Sequence, residues 1–443
     1  TIHTLADEDT DMRRAHWGGP GEDYRLKKLS ATAIGEASSI GSPAPDEAAP
    51  VWQPPKAQHS FPWLEIVLTA AGIIGLIGLT VFFLSPVASS YLALVKTTLL
   101  ALIPLGIVLA FLHRLDRWAP EPWKTKVAVF LWGAGIATLS SGIVNTALGK
   151  NLDYSLGNFD TANALSTTFV APLVEETLKA IGVIIIVVVR RTNINSVLDG
   201  AIYGGLSAAG FMFTEDILYY LRGEPEGTAH LLWLVALRGL MSPFLHVMAT
   251  SMTGIGLALA LLSFKNGWMR AGIVTIFWVC AMLIHLTWNG SAAYFGDRGF
   301  YTMYGVIYVP GFILWALLLL RATSQQRAKI RKGLVPYVRT GWVLPGEVTM
   351  ATDKRVQKAS IKWSTRGGRD ATRAMRSFLA NLASLGLDQC IMAKHGPDPA
   401  RIDADRQKLA TVVENRREFL RLTSIADQQN VVSQAVTART RNV

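Results

Sequence analysis

Four apolar stretches of this chain carry side chains that hydrocarbon does not tolerate without a reason. The run from Ala164 to Val189 holds Glu175, Glu176 and Lys179; the next holds Glu215 and Asp216; the two after those hold His246 and His285. Ionised groups in a bilayer cost several kcal/mol each, so they persist mainly where they pair with one another or do chemistry. Carboxylates and imidazoles together are the groups of general acid and base catalysis, and equally of proton relays. Their spacing adds detail. Glu175 and Lys179 stand four apart on one helix face, an arrangement that pairs them and leaves Glu176 free for another partner. His246 precedes Thr250 by one helical turn. His285 precedes Trp288 and lies one turn before Asn289, whose amide is placed to orient the ring or hold a carbonyl.

The elements that must position these groups follow from hydropathy. At 443 residues, 50% hydrophobic and 17% charged, the composition is that of a membrane protein. About eight apolar segments have spanning length: 62–84, 91–112, 127–149, 165–189, 197–221, 232–263, 270–293 and 304–321. The expected fold class is therefore all-α, a polytopic bundle of about eight transmembrane helices. The sixth segment is over-long, and Ser242-Pro243 is where we expect it to tilt or break.

Loop charge sets the orientation. Arg114, Arg117, Lys124 and Lys126 follow the second span, Arg190 and Arg191 the fourth, and Lys265 and Arg270 the sixth. The opposite side offers Lys150, Arg222 and Arg298. Basic loops lie in the cytoplasm, which puts both termini there and the protein in the cell membrane. On that topology the carboxylates and imidazoles of spans four to seven fall in one band, about 9 to 21 Å below the outer surface at roughly 1.5 Å per residue. Helices running in alternating directions would scatter unrelated polar residues across the bilayer.

Outside the bundle, residues 1–60 are rich in Gly, Pro and acidic residues without hydrophobic period, and read as a disordered cytoplasmic tail. Residues 61–321 form the membrane domain and 322–443 a basic cytoplasmic region. In the latter, 325–365 reads as irregular, broken at Pro336, Gly341, Pro345 and Gly346. Helical periods near 369–393 and 399–425, separated by Pro397-Asp398-Pro399, predict a hairpin. Most of the +11 net charge lies after Arg321, where aromatics are sparse. Anionic lipid headgroups are the expected partner there, and nucleic acid is not. Cys280 and Cys390 show neither disulfide nor metal spacing.

Taken in order, Glu175-Glu176-x-x-Lys179, Phe211-x-x-x-Glu215, His246-x-x-x-Thr250 and His285-x-x-Trp288-Asn289 resemble the signatures of the PrsW family of bacterial intramembrane proteases. The acidic-proline run Asp116 to Pro122 is similar to a loop of that family, and the likeness covers roughly 100–295. Asp216 stands where the family more usually has asparagine. The basic tail resembles that of actinobacterial members. The family is related to the CAAX-prenyl-protease and bacteriocin-immunity group.

The resemblance implies an intramembrane endopeptidase acting on a single-span membrane protein, such as an anti-sigma factor. It implies catalytic roles for Glu175 or Glu176 as general base and for Glu215, His246, His285 and Asn289, supported by Lys179, Asp216, Thr250 and Trp288. Zinc is a candidate cofactor, with Glu176, His246 and His285 as its ligands, although no H-E-x-x-H motif is present and metal-free glutamate chemistry is the favoured form. Two other classes fit the same residues: a non-catalytic membrane scaffold of the superfamily, and a proton-coupled transporter, which should show inverted repeats.

Overall fold

A computed structural model describes residues 61–440, with the side chains of 425–440 left out; the acidic tail expected over 1–60 lies outside the described residues. The chain divides into two compact units, one holding Phe61–Thr323 and the other the residues from Ser324 onward. Every described element is helical.

In the first unit the apolar runs become α1 (Trp63–Val87), α2 (Tyr91–Leu115), α3 (Trp123–Leu156), α4 (Ala171–Val189), α5 (Val197–Gly223), α6 (Thr228–Ser263), α7 (Gly267–Tyr294) and α8 (Val309–Gly333). Among the described residues six helices are long and apolar enough to cross a membrane, fewer than the eight expected. The two outside that set are α4 and α5. They carry Glu175, Glu176 and Lys179, and Asp199, Glu215 and Asp216, so the residues that mark the site also lower the hydropathy of the helices that hold it. Six such helices make a multi-pass membrane protein. Side chains such as Ile74, Phe82, Leu92 and Val306 point outward, as a lipid-facing surface requires.

α5 is the central post of the bundle, buried along almost its whole length. Its glycines explain how. A Cβ on Gly200 would lie 2.0 Å from the carbonyl oxygen of Gly254 on α6, and one on Gly204 would lie 2.5 Å from that of Thr250. These close approaches bring the α6 segment carrying His246 and Thr250 against α5. α6 breaks where the sequence says it should. Pro243 removes a donor, Ser242 leaves helical geometry, and the Ser242 hydroxyl donates to the Leu237 carbonyl at 2.9 Å. The turn before the break, Val235–Met241, is π-helical and carries Arg238.

In the second unit, the stretch expected to be irregular is helical instead. α8 continues to Gly333, and α9 (Pro345–Thr352) and α10 (Lys354–Ser364) follow. Pro345 opens α9, and Pro336 sits in the first turn of the short helix Val335–Arg339; there a missing N–H costs nothing. α11 (Gly368–His395) and α12 (Pro399–Thr440) pack as a hairpin with Phe378, Leu382, Leu409, Val412 and Phe419 in its core.

Candidate active site

Glu175 and Glu176 share a helical turn but not an environment. Glu176 is fully buried and saturated. Its Oε1 accepts from Lys179 Nζ at 2.6 Å and faces His285 Nδ1 at 3.0 Å, and its Oε2 accepts from Thr250 Oγ1 at 2.7 Å. This reverses the pairing expected from spacing: Lys179 lies 3.8 Å from Glu175 and much closer to Glu176. Both pairings suit one helix face, and the neighbouring helices choose between them by supplying Thr250 and His285 on the side of Glu176. Glu175 Oε1 accepts from Asn145 Nδ2 at 3.2 Å, while its Oε2 is buried with no hydrogen-bond partner.

The fully buried Lys179 is the hub. Its ammonium reaches His246 Nδ1 at 3.1 Å and lies 4.0 Å above the Phe211 ring, and its carbonyl accepts from Ser207 at 3.0 Å. The aromatic of the F-x-x-x-E motif thus serves the lysine, and the threonine of the H-x-x-x-T motif serves the glutamate. A lysine ammonium can only donate, so His246 accepts at Nδ1 and carries its proton on Nε2, which faces Glu215 Oε2 at 3.0 Å. The carboxylate on His285 Nδ1 holds that ring's proton there and leaves the Nε2 lone pair toward Glu175 Oε2, 3.8 Å away. The two imidazoles meet edge to face with centroids 4.8 Å apart.

Glu215 and Asp216 are both engaged by Arg238, at 2.6 and 2.8 Å, and the guanidinium stacks 3.9 Å over Tyr219. Asn289 lines the same cavity, but its amide nitrogen donates to the Thr167 carbonyl at 2.9 Å instead of touching an imidazole. Trp288 packs on Phe300 and Tyr308 and forms one wall. The structure therefore gathers Glu175, Glu176, Lys179, Glu215, Asp216, His246, Thr250 and His285 into one cluster, with Asn289 and Trp288 at its edge. Asn145, Ser207 and Arg238 had not been singled out as site residues. The signal for Asn145 was present, an amide inside the apolar run of α3.

A cavity of about 190 Å³ opens onto this cluster, lined by Glu175, Glu215, Arg238, His246, His285 and Asn289. Glu175, His246 and His285 offer one ligand atom each within 4.8 Å of one another. This group differs from the expected one in its glutamate: Glu176 is engaged by Lys179, His285 and Thr250, and Glu175 is the carboxylate grouped with the two imidazoles. Charge supports the same set: four carboxyl groups face two cations, a formal charge of −2 with neutral imidazoles. That deficit equals one divalent cation or two protons. With an orphan carboxylate oxygen and an imidazole lone pair turned toward each other, the residues present fit a zinc ion.

A helical membrane bundle enclosing two histidines and a glutamate oxygen that lacks a hydrogen-bond partner beside a cavity has the elements of a buried hydrolytic centre. Residues 121–316 match the model of the PrsW family of intramembrane metalloproteases. Protease PrsW of Clostridioides difficile (strain 630) is 31% identical over 123 residues, 27% of this chain and 49% of that protein. The chain thus spans about half the length of the curated relative it matches. No solved structure matches. Both matches support the PrsW family for this membrane region.

Proposed function

We propose that the chain is an intramembrane endopeptidase that hydrolyses a membrane-anchored, single-span protein, with Glu175 as the general base. One observation carries this reading: Glu175 keeps a buried carboxylate oxygen without a hydrogen-bond partner, at the wall of a cavity shared with both imidazoles and 3.8 Å from His285 Nε2, whereas the other such oxygen in the cluster, Asp216 Oδ2, belongs to a carboxylate that Arg238 already holds. Glu175 takes a proton from a water in that cavity as the water oxygen adds to the scissile carbonyl carbon. The His246 Nε2–H donates to the oxyanion that forms. Glu175 then returns the proton to the amide nitrogen, the C–N bond breaks, and a carboxylic acid and an amine leave, the acid giving up its remaining proton to water or to the amine. Glu176 holds Lys179 and His285 in place and takes no proton. Where zinc is bound, Glu175, His246 and His285 would hold it, and it supplies a Lewis acid for the carbonyl and a more acidic water.

In this reading all eight helices cross the cell membrane, both termini are cytoplasmic and the site lies in the outer half. The charged surfaces of α4 and α5 face the bundle interior, which is what lets two helices of modest hydropathy span. Family resemblance suggests an anti-sigma factor as substrate. Arg327, Lys329, Arg331 and Lys332 at the end of α8 suit an anionic leaflet, each contributing about 1 kcal/mol.

The test is the purified full-length protein in liposomes, given a panel of single-span membrane proteins with and without a chelator. Cleavage that disappears in Glu175→Gln is expected. No cleavage of any panel member, together with proton uptake down an imposed gradient, would move the assignment to a transporter. Cleavage that survives the chelator and metal-free preparation would remove zinc from the mechanism.

A further inference from the structure

A second cavity, of about 340 Å³, continues from the first. The two share Asn145, Ser166, Glu175, Glu215 and Tyr219. From Glu175 it follows one face of α3 past Ser141, Asn145 and Gly149 to Asp153, where Lys150 and Arg222 also border it. Twelve residues of helix separate Ser141 from Asp153, about 18 Å at 1.5 Å per residue. That is the length of five or six residues of extended chain at about 3.3 Å each. A volume of 340 Å³ drawn out over that length admits a single extended strand. A helix, about 10–12 Å across, does not fit.

The wall has a hydrogen-bonding character of its own. The hydroxyls of Ser141 and Thr146 donate to carbonyls of their own helix, at 3.0 and 2.7 Å, so toward the cavity they offer lone pairs. At the junction of the two cavities Asn145 is oriented by the carboxylate of Glu175. Its Nδ2 must face that acceptor, which turns Oδ1 the other way, and Oδ1 is buried with no donor. Buried carbonyl groups are nearly always paired, so an unpaired one beside a cavity marks a position that a ligand fills. A row of acceptors in a slot one strand wide is complementary to a ligand that brings N–H groups in a line.

We infer that this cavity binds an extended segment of the substrate polypeptide next to the scissile bond, and that Asn145 accepts a substrate backbone N–H while its other end holds Glu175. Asn145 is thus a positioning residue for the base and an anchor for the substrate. The inference rests on the peptidase reading above, but its test does not depend on turnover. In full-length protein with Cys280→Ser and Cys390→Ser, Gly149→Cys places a thiol on the cavity wall, where an added Cβ meets only the Ser166 side chain, Oγ at 3.4 Å and Cβ at 4.0 Å. Tyr154→Cys places one on the same helix beyond the apolar run, where the side chain is 92% exposed and does not line the cavity.

The probe is a capped, uncharged heptapeptide of Ala, Gly and Ser, added before a water-soluble thiol reagent. We expect it to slow labelling at 149 and not at 154. Half-protection should need about fivefold more peptide in Asn145→Leu, the loss of one hydrogen bond. Asn145→Asp keeps the acceptor and loses the donor to Glu175, so protection should persist while the cleavage rate constant falls. Protection without any cleavage by the parent protein would keep the cleft and remove the peptidase. Equal labelling with and without peptide, or protection unaltered in Asn145→Leu, would overturn the inference even if cleavage is robust.

Discussion

Two buried charge clusters, one in each unit, show what separates a reactive site from a structural one. In the hairpin, Asp388 pairs with Arg401 and Lys408, and Lys408 also lies 3.3 Å from Asp405. Both aspartates are fully buried. Two carboxyl groups face two cations, a formally balanced set, and the group closes between α11 and α12. In the bundle, four carboxyl groups face two cations beside two connected cavities. Burial and ion pairing are common to both. An uncompensated charge with space next to it belongs to the bundle alone. A cluster that serves only folding is neutral, since any residual charge adds desolvation cost; the bundle keeps a deficit that a proton or a cation can fill.

The sharpest way to break this comparison lies within the bundle cluster itself. Glu176→Gln leaves Lys179 buried without its closest anion, which should cost about 3–5 kcal/mol and yield little folded protein. Glu175→Gln should fold with a nearly unchanged melting temperature and lose about 10²–10⁴ in cleavage rate, the usual contribution of a general base. If the two variants prove equally stable and equally inactive, the division of labour between adjacent glutamates is wrong.

In the hairpin, Asp388→Asn should also cost about 3 kcal/mol by stranding two cations. The folded fraction should cleave at the parental rate. Replacing Asp388, Arg401, Asp405 and Lys408 together by apolar residues of similar size should restore stability to within about 1–2 kcal/mol. A matching apolar replacement of Glu176 and Lys179 should leave no activity whatever its stability. Thermal melts beside cleavage rates decide both.

Metal binding sharpens the meaning of the charge deficit. For His246 Nε2 to act as a ligand it must shed its proton, so zinc retention should weaken as pH falls, by up to about tenfold per unit for one displaced proton. Metal content after equilibrium dialysis across a pH series reads this directly, with His285→Gln as a variant that should hold none at any pH. Retention independent of pH would argue that the deficit is filled otherwise.

The smallest effect belongs to Asp405. Burial, then the charge of Asp388, raises its carboxyl well above the ordinary 3.8, so the folded hairpin holds that proton more tightly than the unfolded chain does. The stabilisation is present at acidic pH and is lost as pH rises through the folded-state pKa. Lys408 works at the other end of the scale: burial opposes its charge, but Asp388 and Asp405 outweigh burial and hold the ammonium above its usual range. Asp405→Asn should therefore flatten the acidic part of the stability profile and raise the melting temperature slightly at neutral pH. A profile unchanged by that substitution would show that the carboxyl is not protonated in the folded state.

Hydropathy and charge placement made the helical bundle legible, along with the break at Ser242-Pro243 and the cast of the site. These signals are strong because hydrocarbon penalises each intruding charge separately, whatever surrounds it. Position along the chain could not say which glutamate would be saturated. Lys179 is within reach of both, and the outcome depended on Thr250 and His285, which lie 74 and 109 residues from Glu176. Nor could it give Asn145 a role or name the partners of Arg238, which reads from sequence only as a snorkelling or pairing charge; each acquires its partner only when α3 and the broken α6 are packed. Pro336 and Pro345 misled for a related reason, because a proline ends a helix or begins one according to backbone it does not itself specify. The sequence by itself determined that carboxylates and imidazoles would be enclosed in a membrane bundle, through the one-residue cost of burying charge. Only the tertiary structure decided which partners each of them takes, because buried polar atoms find partners on helices from separate parts of the chain, packed so closely that a Cβ on Gly200 would lie 2.0 Å from the Gly254 carbonyl oxygen.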